Sequence, residues 1–221
     1  KQAATVFGSI KKIGIAPFGL TMSPNISLII INRFSVAYGG EPAIAAYAVI
    51  AYIISIIYMV FQGVGDGSQP LLSQCYGEKD FERLRRLRRL AYGTAMGFAL
   101  IGCAVMFGMR TILGPLFGTS DSVSLDIAAI IPIFLVSVPF VAICRVTTAS
   151  FYATERSGYS YLLTFIEPVL MLVLMLILPP LFGGQVMIWW STVFARVLSA
   201  ALALILKGRV DGQEPRLRVV Q

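Results

Sequence analysis

Apolar residues run together in six stretches, at about 13–33, 43–63, 90–110, 127–150, 160–182 and 186–206, separated by short polar segments. Each is about 20 residues long, the length a helix needs to cross a bilayer. Hydrocarbon offers no partners for backbone N–H and C=O groups, so the stretches must be helices. The expected fold is all-α: a polytopic membrane protein with six transmembrane helices. Residues 1–12 read as a cytoplasmic lead-in or linker, 13–206 as the helical body and 207–221 as a cytoplasmic tail.

The polar segments orient the spans. Between the second and third lies GEKDFERLRRLRRL, and short loops rich in Lys and Arg stay on the cytoplasmic side. Alternate counting puts Lys1, Lys11, Lys12, Arg156, Lys207, Arg209, Arg216 and Arg218 on that same side, facing only Arg33 and Arg110 opposite. Both termini are thus expected in the cytoplasm, with the protein in the plasma (inner) membrane. Phe81, Leu84, Leu87 and Ala91 recur at helical spacing among the arginines. They predict an amphipathic helix lying on the inner leaflet, against lipid headgroups.

Composition fits this picture: 57% of residues are hydrophobic and 13% charged, with a mean hydropathy of +0.80. The net charge of +7 sits beside the spans and lacks a stacking platform, so nucleic acid is not an expected partner. Histidine is absent, which removes His-based metal sites and His-dependent nucleophilic catalysis. Cys75, Cys103 and Cys144 have no CxxC spacing and read as small hydrophobes. No nucleophile–base pair or metal set is visible, so an enzyme, a catalytic residue and a resident cofactor are all not expected.

Candidate chemistry lies in the few polar groups inside the spans. Pro17 and Pro24 interrupt the first, where Ser23, Asn25 and Asn32 add side-chain donors and acceptors. Packing between helices and lining of a water-filled cavity are both open for them. Arg145 stands near the cytoplasmic end of the fourth span and reads as an anchor that reaches the headgroups.

Glu167 and Arg196 are the most unusual residues. Seven residues separate Ser160 from Glu167 and eleven separate Arg196 from Lys207, so the depths are roughly 10 and 16 Å at 1.5 Å per residue. Either charge alone would cost at least ~2.5 kcal/mol on insertion scales. Their opposite signs on consecutive antiparallel helices predict a buried ion pair. A structural lock and a protonatable or cation-binding group remain alternatives for it. Pro168 also leaves the Thr164 carbonyl without its helical donor.

The second span ends in FQGVGDGSQPLLSQCYGEKD. Gly63, Gly65 and Gly67 allow a close helix approach or an unwound turn, with Gln62, Asp66 and Gln69 among them. No Gly-Lys-Ser/Thr follows, so this is not a phosphate loop.

From Gly63 through Gln69-Pro70 to Tyr76-Gly77-Glu78-Lys79, the chain resembles the multidrug and toxic compound extrusion (MATE) family at the cytoplasmic end of a lobe's second helix. Asn32, Tyr38-Gly39-Gly40 and Ala43–Tyr47 are similar to that family's connection between a lobe's first helices. Leu178-Pro179 and Phe182-Gly183 resemble its closing helix pair. The resemblance covers one six-helix lobe of a two-lobe transporter, more like the C-terminal half. It implies a secondary antiporter that exports organic, often cationic, compounds against inward proton or sodium flow. The implied partners are a small-molecule substrate, membrane lipids and the second lobe. On this basis Asn25, Gln62, Asp66, Gln69, Glu167 and Arg196 are candidates for the substrate or ion pathway. A flippase for lipid-linked precursors and a non-transporting six-helix scaffold are the alternatives. The flippase is disfavoured here because only Arg196 reads as a deep cation.

Overall fold

The computed structural model describes residues 2–213, with side chains for residues 22–212. The expectations placed on Lys1, Lys11, Lys12, Pro17, Arg216 and Arg218 fall outside those side chains. Among the described residues all elements are helical: α1 (Gln2–Gly77), α2 (Phe81–Leu116), α3 (Asp121–Ala153), α4 (Ser157–Phe182) and α5 (Gln185–Gln213). All five are long and apolar enough to cross a membrane.

The first holds two spans. At 76 residues α1 would be roughly 110 Å long if straight, several times the thickness of a bilayer. It is broken by one residue, Gly40, at φ 65° and ψ −160°, a conformation that β-carbon sterics reserve for glycine. Ser23, Ser27 and Leu28 before the break line the same cavity as Ala51, Ile54 and Tyr58 after it. The residues on either side lie about equally far from Gly40, so the arms fold back on each other as a hairpin. The expected six spans are therefore present, joined at one place by a pivot instead of a loop.

The third helix is the hub and packs against all four others. Its buried face runs through Ile127, Ile131, Phe134, Val138, Val141 and Ala142, meeting Ile50 and Phe61 of α1, Met171 and Met175 of α4 and Ile188 and Trp189 of α5 in one continuous core. Outward-facing Ile29, Met59, Ile101, Leu125 and Leu176 are exposed, the inverse of a water-soluble fold and the surface expected against lipid.

Three sequence expectations change here. The arginine-rich stretch is not a separate helix on the membrane surface. It forms the opening turns of α2, continuous with the third span. Leu84 is fully buried and packs with Leu72 and Cys75 of α1 and Ala153 of α3, so the apolar face that would have met lipid meets protein. Asp80 caps this helix, accepting the Arg83 backbone N–H at 3.0 Å. Next, the glycine-rich segment at 63–67 neither breaks nor unwinds α1. Of its glycines only Gly65 serves a close approach: a β-carbon there would lie 3.2 Å from the methyl of Ala149 on α3. Last, α5 runs through residue 207, where the tail was expected to begin, with Val210 buried.

Prolines inside these helices leave carbonyls that neighbours fill. Pro168 has no N–H for the Thr164 carbonyl, and Ser23 of α1 donates its hydroxyl to that oxygen at 2.8 Å. Pro139 does the same to Leu135, whose carbonyl has the Cys103 thiol at 3.5 Å. Cys103 is thus a weak cross-helix donor as well as a small apolar group; all three cysteines are free thiols. Ser23→Ala is expected to cost about 1 kcal/mol, the usual worth of one interhelical hydrogen bond in a membrane protein. Thermal unfolding of the purified variant in detergent measures it, and Ser23→Thr should retain most of the stability.

Candidate functional site

Five helical segments converge on a cavity of about 190 Å³. The first arm of α1 contributes Ser23, Pro24, Asn25, Ser27 and Leu28, and the second arm Tyr47, Ala51, Ile54, Ser55 and Tyr58. Phe134 and Arg145 come from α3, Glu167 from α4 and Arg196 from α5. The kinked hairpin explains the first two sets. Tyr47, Ala51, Ile54 and Tyr58 recur at four, three and four residues, a single helical face turned inward.

Arg196 is almost wholly enclosed and firmly held. Its Nε donates to the Glu167 carboxylate at 3.3 Å, and a terminal nitrogen donates to the Ser137 hydroxyl at 3.0 Å. The Tyr58 ring lies 5.4 Å from the guanidinium carbon and the Phe134 ring 5.9 Å, within cation–π range. Glu167 is 22% exposed against 7% for Arg196, so the carboxylate is the member of the pair that reaches the open space. The rings of Tyr47 and Phe134 form part of one wall, and both pack against Trp189 behind it, with centroids 5.5–5.8 Å apart across the three.

Two smaller spaces adjoin the cavity. One, of about 30 Å³, is lined by Gln62, Asp66 and Gln69 of α1 and by Arg145, Thr148 and Tyr152 of α3. There the Gln62 amide donates to the Asp66 carboxylate at 2.8 Å, and its oxygen lies 3.5 Å from an Arg145 nitrogen. The other, of about 20 Å³, lies between Ser23, Cys144, Arg145, Thr164 and Glu167. The six candidate residues thus fall into two neighbouring groups. Asn25, Glu167 and Arg196 share the main cavity; Gln62, Asp66 and Gln69 share a side chamber.

Arg145 belongs to all three spaces and connects the groups. It is not the headgroup anchor the sequence suggested. Helix α3 continues to Ala153, which leaves Arg145 roughly 12 Å short of its C-terminal end. Its helical phase matches Phe134 and Tyr152, both of which face the cavities, so its side chain points inward. That shared phase was the available signal. Among the described residues no group of three metal-ligating side chains forms.

A second charge cluster joins the start of α2 to the end of α5, and no feature of the sequence singles it out. Arg88 of α2, only 3% exposed, pairs with Asp211 of α5. Lys207 also reaches Asp211 at 3.0 Å and lies 5.6 Å from the Tyr92 ring, whose hydroxyl meets Thr147 of α3 at 2.6 Å.

The helical bundle, its apolar outward surface and its partly open cavity with buried charges define one lobe of a polytopic membrane protein. Residues 17–177 match the family model described as MatE, and the chain belongs to that family. It is 21% identical over 206 residues to the multidrug export protein MepA of Staphylococcus haemolyticus, covering 93% of this chain and 45% of that protein. Over 129 residues it is 30% identical to the probable multidrug resistance protein NorM of Neisseria meningitidis, covering 58% of this chain and 28% of that protein. Its fold matches an outward-facing multidrug resistance MATE family transporter of the MOP superfamily with a TM-score of 0.88 at 16% identity, covering 96% of this chain and 48% of that one. A MOP superfamily transporter from Pyrococcus furiosus gives 0.86 at 17% identity, with 94% and 47% covered. The chain spans about half the length of the solved structures it matches, and less than half of these two curated relatives.

Proposed function

We propose that this chain is one lobe, the C-terminal one, of a secondary antiporter that exports organic compounds in exchange for protons or sodium. The observation that carries the proposal is the polar cavity inside an otherwise apolar bundle, with the carboxylate of Glu167 on its wall. Membership of the MatE family and the names of the two relatives support the same reading. Two lobes rocking about a shared site would expose it alternately to each side of the inner membrane. Within this lobe Asn25, Gln62, Asp66, Gln69, Glu167 and Arg196 supply the polar contribution. A proton or sodium ion on Glu167 competes with Arg196 for the carboxylate, which couples ion binding to the packing of α4 against α5.

Dye efflux tests this. Cells that lack their own efflux pumps and express the complete reading frame are loaded with fluorescent organic dyes of either charge. At least one dye should leave faster than from control cells. Collapsing the proton and sodium gradients should abolish the difference, and Glu167→Gln should lower it by at least tenfold if the carboxylate is the coupling group. Unchanged efflux of every dye on expression rejects the transport reading in favour of the scaffold. A flippase for a lipid-linked anionic precursor is the second reading, favoured by one observation: Arg145 joins Arg196 at the cavity, so this space holds two deep cations instead of one.

A further inference from the structure

The charges around the main cavity do not balance. Two guanidinium groups, Arg145 and Arg196, face one carboxylate, Glu167, and the remaining polar lining is neutral: serines, an asparagine and tyrosines. Among the described residues Asp66 is the acid that lines the adjoining side chamber, with its carboxylate engaged by Gln62. The two arginines are also used differently. Arg196 is committed to Glu167 and Ser137 and sits against two rings. Among the described residues Arg145 meets only the Gln62 amide oxygen, at 3.5 Å, and forms no ion pair with either acid. A guanidinium carries five N–H donors in a fixed fork suited to oxyanions. On this half-buried side chain, at the junction of three spaces, most of those donors have no described protein acceptor. A cation so placed is costly unless an anion joins it.

We propose that Arg145 is the receiving group of an oxyanion-binding site, and that this lobe's cavity takes an amphiphilic organic anion: a carboxylate, sulfonate or phosphate ester attached to an apolar body. The anionic group meets the Arg145 fork where the three spaces join. The apolar body lies along Leu28, Ala51, Ile54 and the Tyr47 and Phe134 rings. Glu167 neutralises Arg196 and leaves the charge of Arg145 to the ligand. This deepens the transport reading and rests on it only for the claim that the bound anion is also moved.

The test separates the two. Fluorescein and rhodamine 123 share a flat xanthene body but carry opposite charge. Their binding to the complete protein in neutral-lipid nanodiscs is measured by equilibrium dialysis. Fluorescein should bind more tightly, and Arg145→Gln should weaken it by roughly tenfold or more, as expected for a lost charge-assisted contact, while leaving rhodamine 123 unchanged or tighter. Arg145→Lys should retain part of the affinity. Unaltered thermal unfolding of each variant excludes misfolding; if Arg145→Gln unfolds, Arg145→Lys and the wild-type preference decide. Tighter binding of rhodamine 123 by the wild type, or fluorescein binding indifferent to Arg145→Gln, overturns the site. Displacement of fluorescein by a polyprenyl phosphate supports it and assigns a lipid source; displacement by naphthoate supports it and assigns a soluble one; displacement by neither overturns it. Fluorescein that binds through Arg145 but is never exported leaves the site standing and sinks the transport reading instead.

Discussion

Replacing Glu167 by leucine should destabilise the folded lobe by about 3 kcal/mol, the usual cost of stranding one member of a buried ion pair. The reason lies with its partner. Arg196 is 7% exposed, and its other polar contact, Ser137, is neutral. Without the carboxylate a full positive charge stays in the core with only a hydroxyl and two ring faces to compensate it. Arg196→Leu should cost somewhat less, because Glu167 retains partial access to the cavity. The double replacement should recover much of the loss, since a well-packed apolar pair is often as stable as the ion pair it replaces. Thermal unfolding of the four proteins in one detergent gives the coupling energy. Additive losses would remove the pair from any account of how α4 and α5 are held together, and a charge-exchanged variant that recovers nothing would do the same.

Asp211→Asn should be of similar size, again about 3 kcal/mol. Removing this carboxylate takes an acidic partner from two cations, Arg88 and Lys207, one of them 3% exposed. The cluster ties the start of α2 to the end of α5, with Tyr92 and Thr147 carrying the contact on to α3. Its loss should therefore be local before it is global. Amide hydrogen exchange over 207–213 should accelerate while α4 remains protected. Arg88→Leu in the Asp211→Asn background should restore part of the protection. Unchanged exchange at 207–213 in Asp211→Asn would show that the pair does not hold this end of the helix.

The two clusters differ in how far they could be foreseen. Glu167 and Arg196 interrupt long apolar runs, and a charge in hydrocarbon demands a partner, so their contact was legible from depth and sign alone. Asp211 lies past the last long apolar stretch, where a charge needs no explanation, and Arg88 is one of several arginines in a basic stretch. Only the path of α2 singles it out. The Thr164 carbonyl was half legible: Pro168 announces the missing donor but cannot name Ser23 as the replacement. Closeness to the end of the apolar run makes Arg145 resemble an anchor, whereas its helical phase puts it on the face of Phe134 and Tyr152. Gly65 shows the reverse limit, since three evenly spaced glycines look alike in sequence and one of them meets Ala149.

The pivot at Gly40 has a genetic consequence. A loop absorbs an added residue; a bend made by one residue cannot. Inserting a single amino acid between Gly40 and Tyr47 would turn everything downstream by about 100°, swinging Tyr47, Ala51, Ile54 and Tyr58 away from the cavity toward lipid. Seven inserted residues, close to two full turns, would restore the facing but displace it by roughly 10 Å. The first hairpin is thus indel-intolerant along its second arm. Sequence change there is confined to substitution, whereas the loops at 117–120 and 154–156 leave room for variation in length.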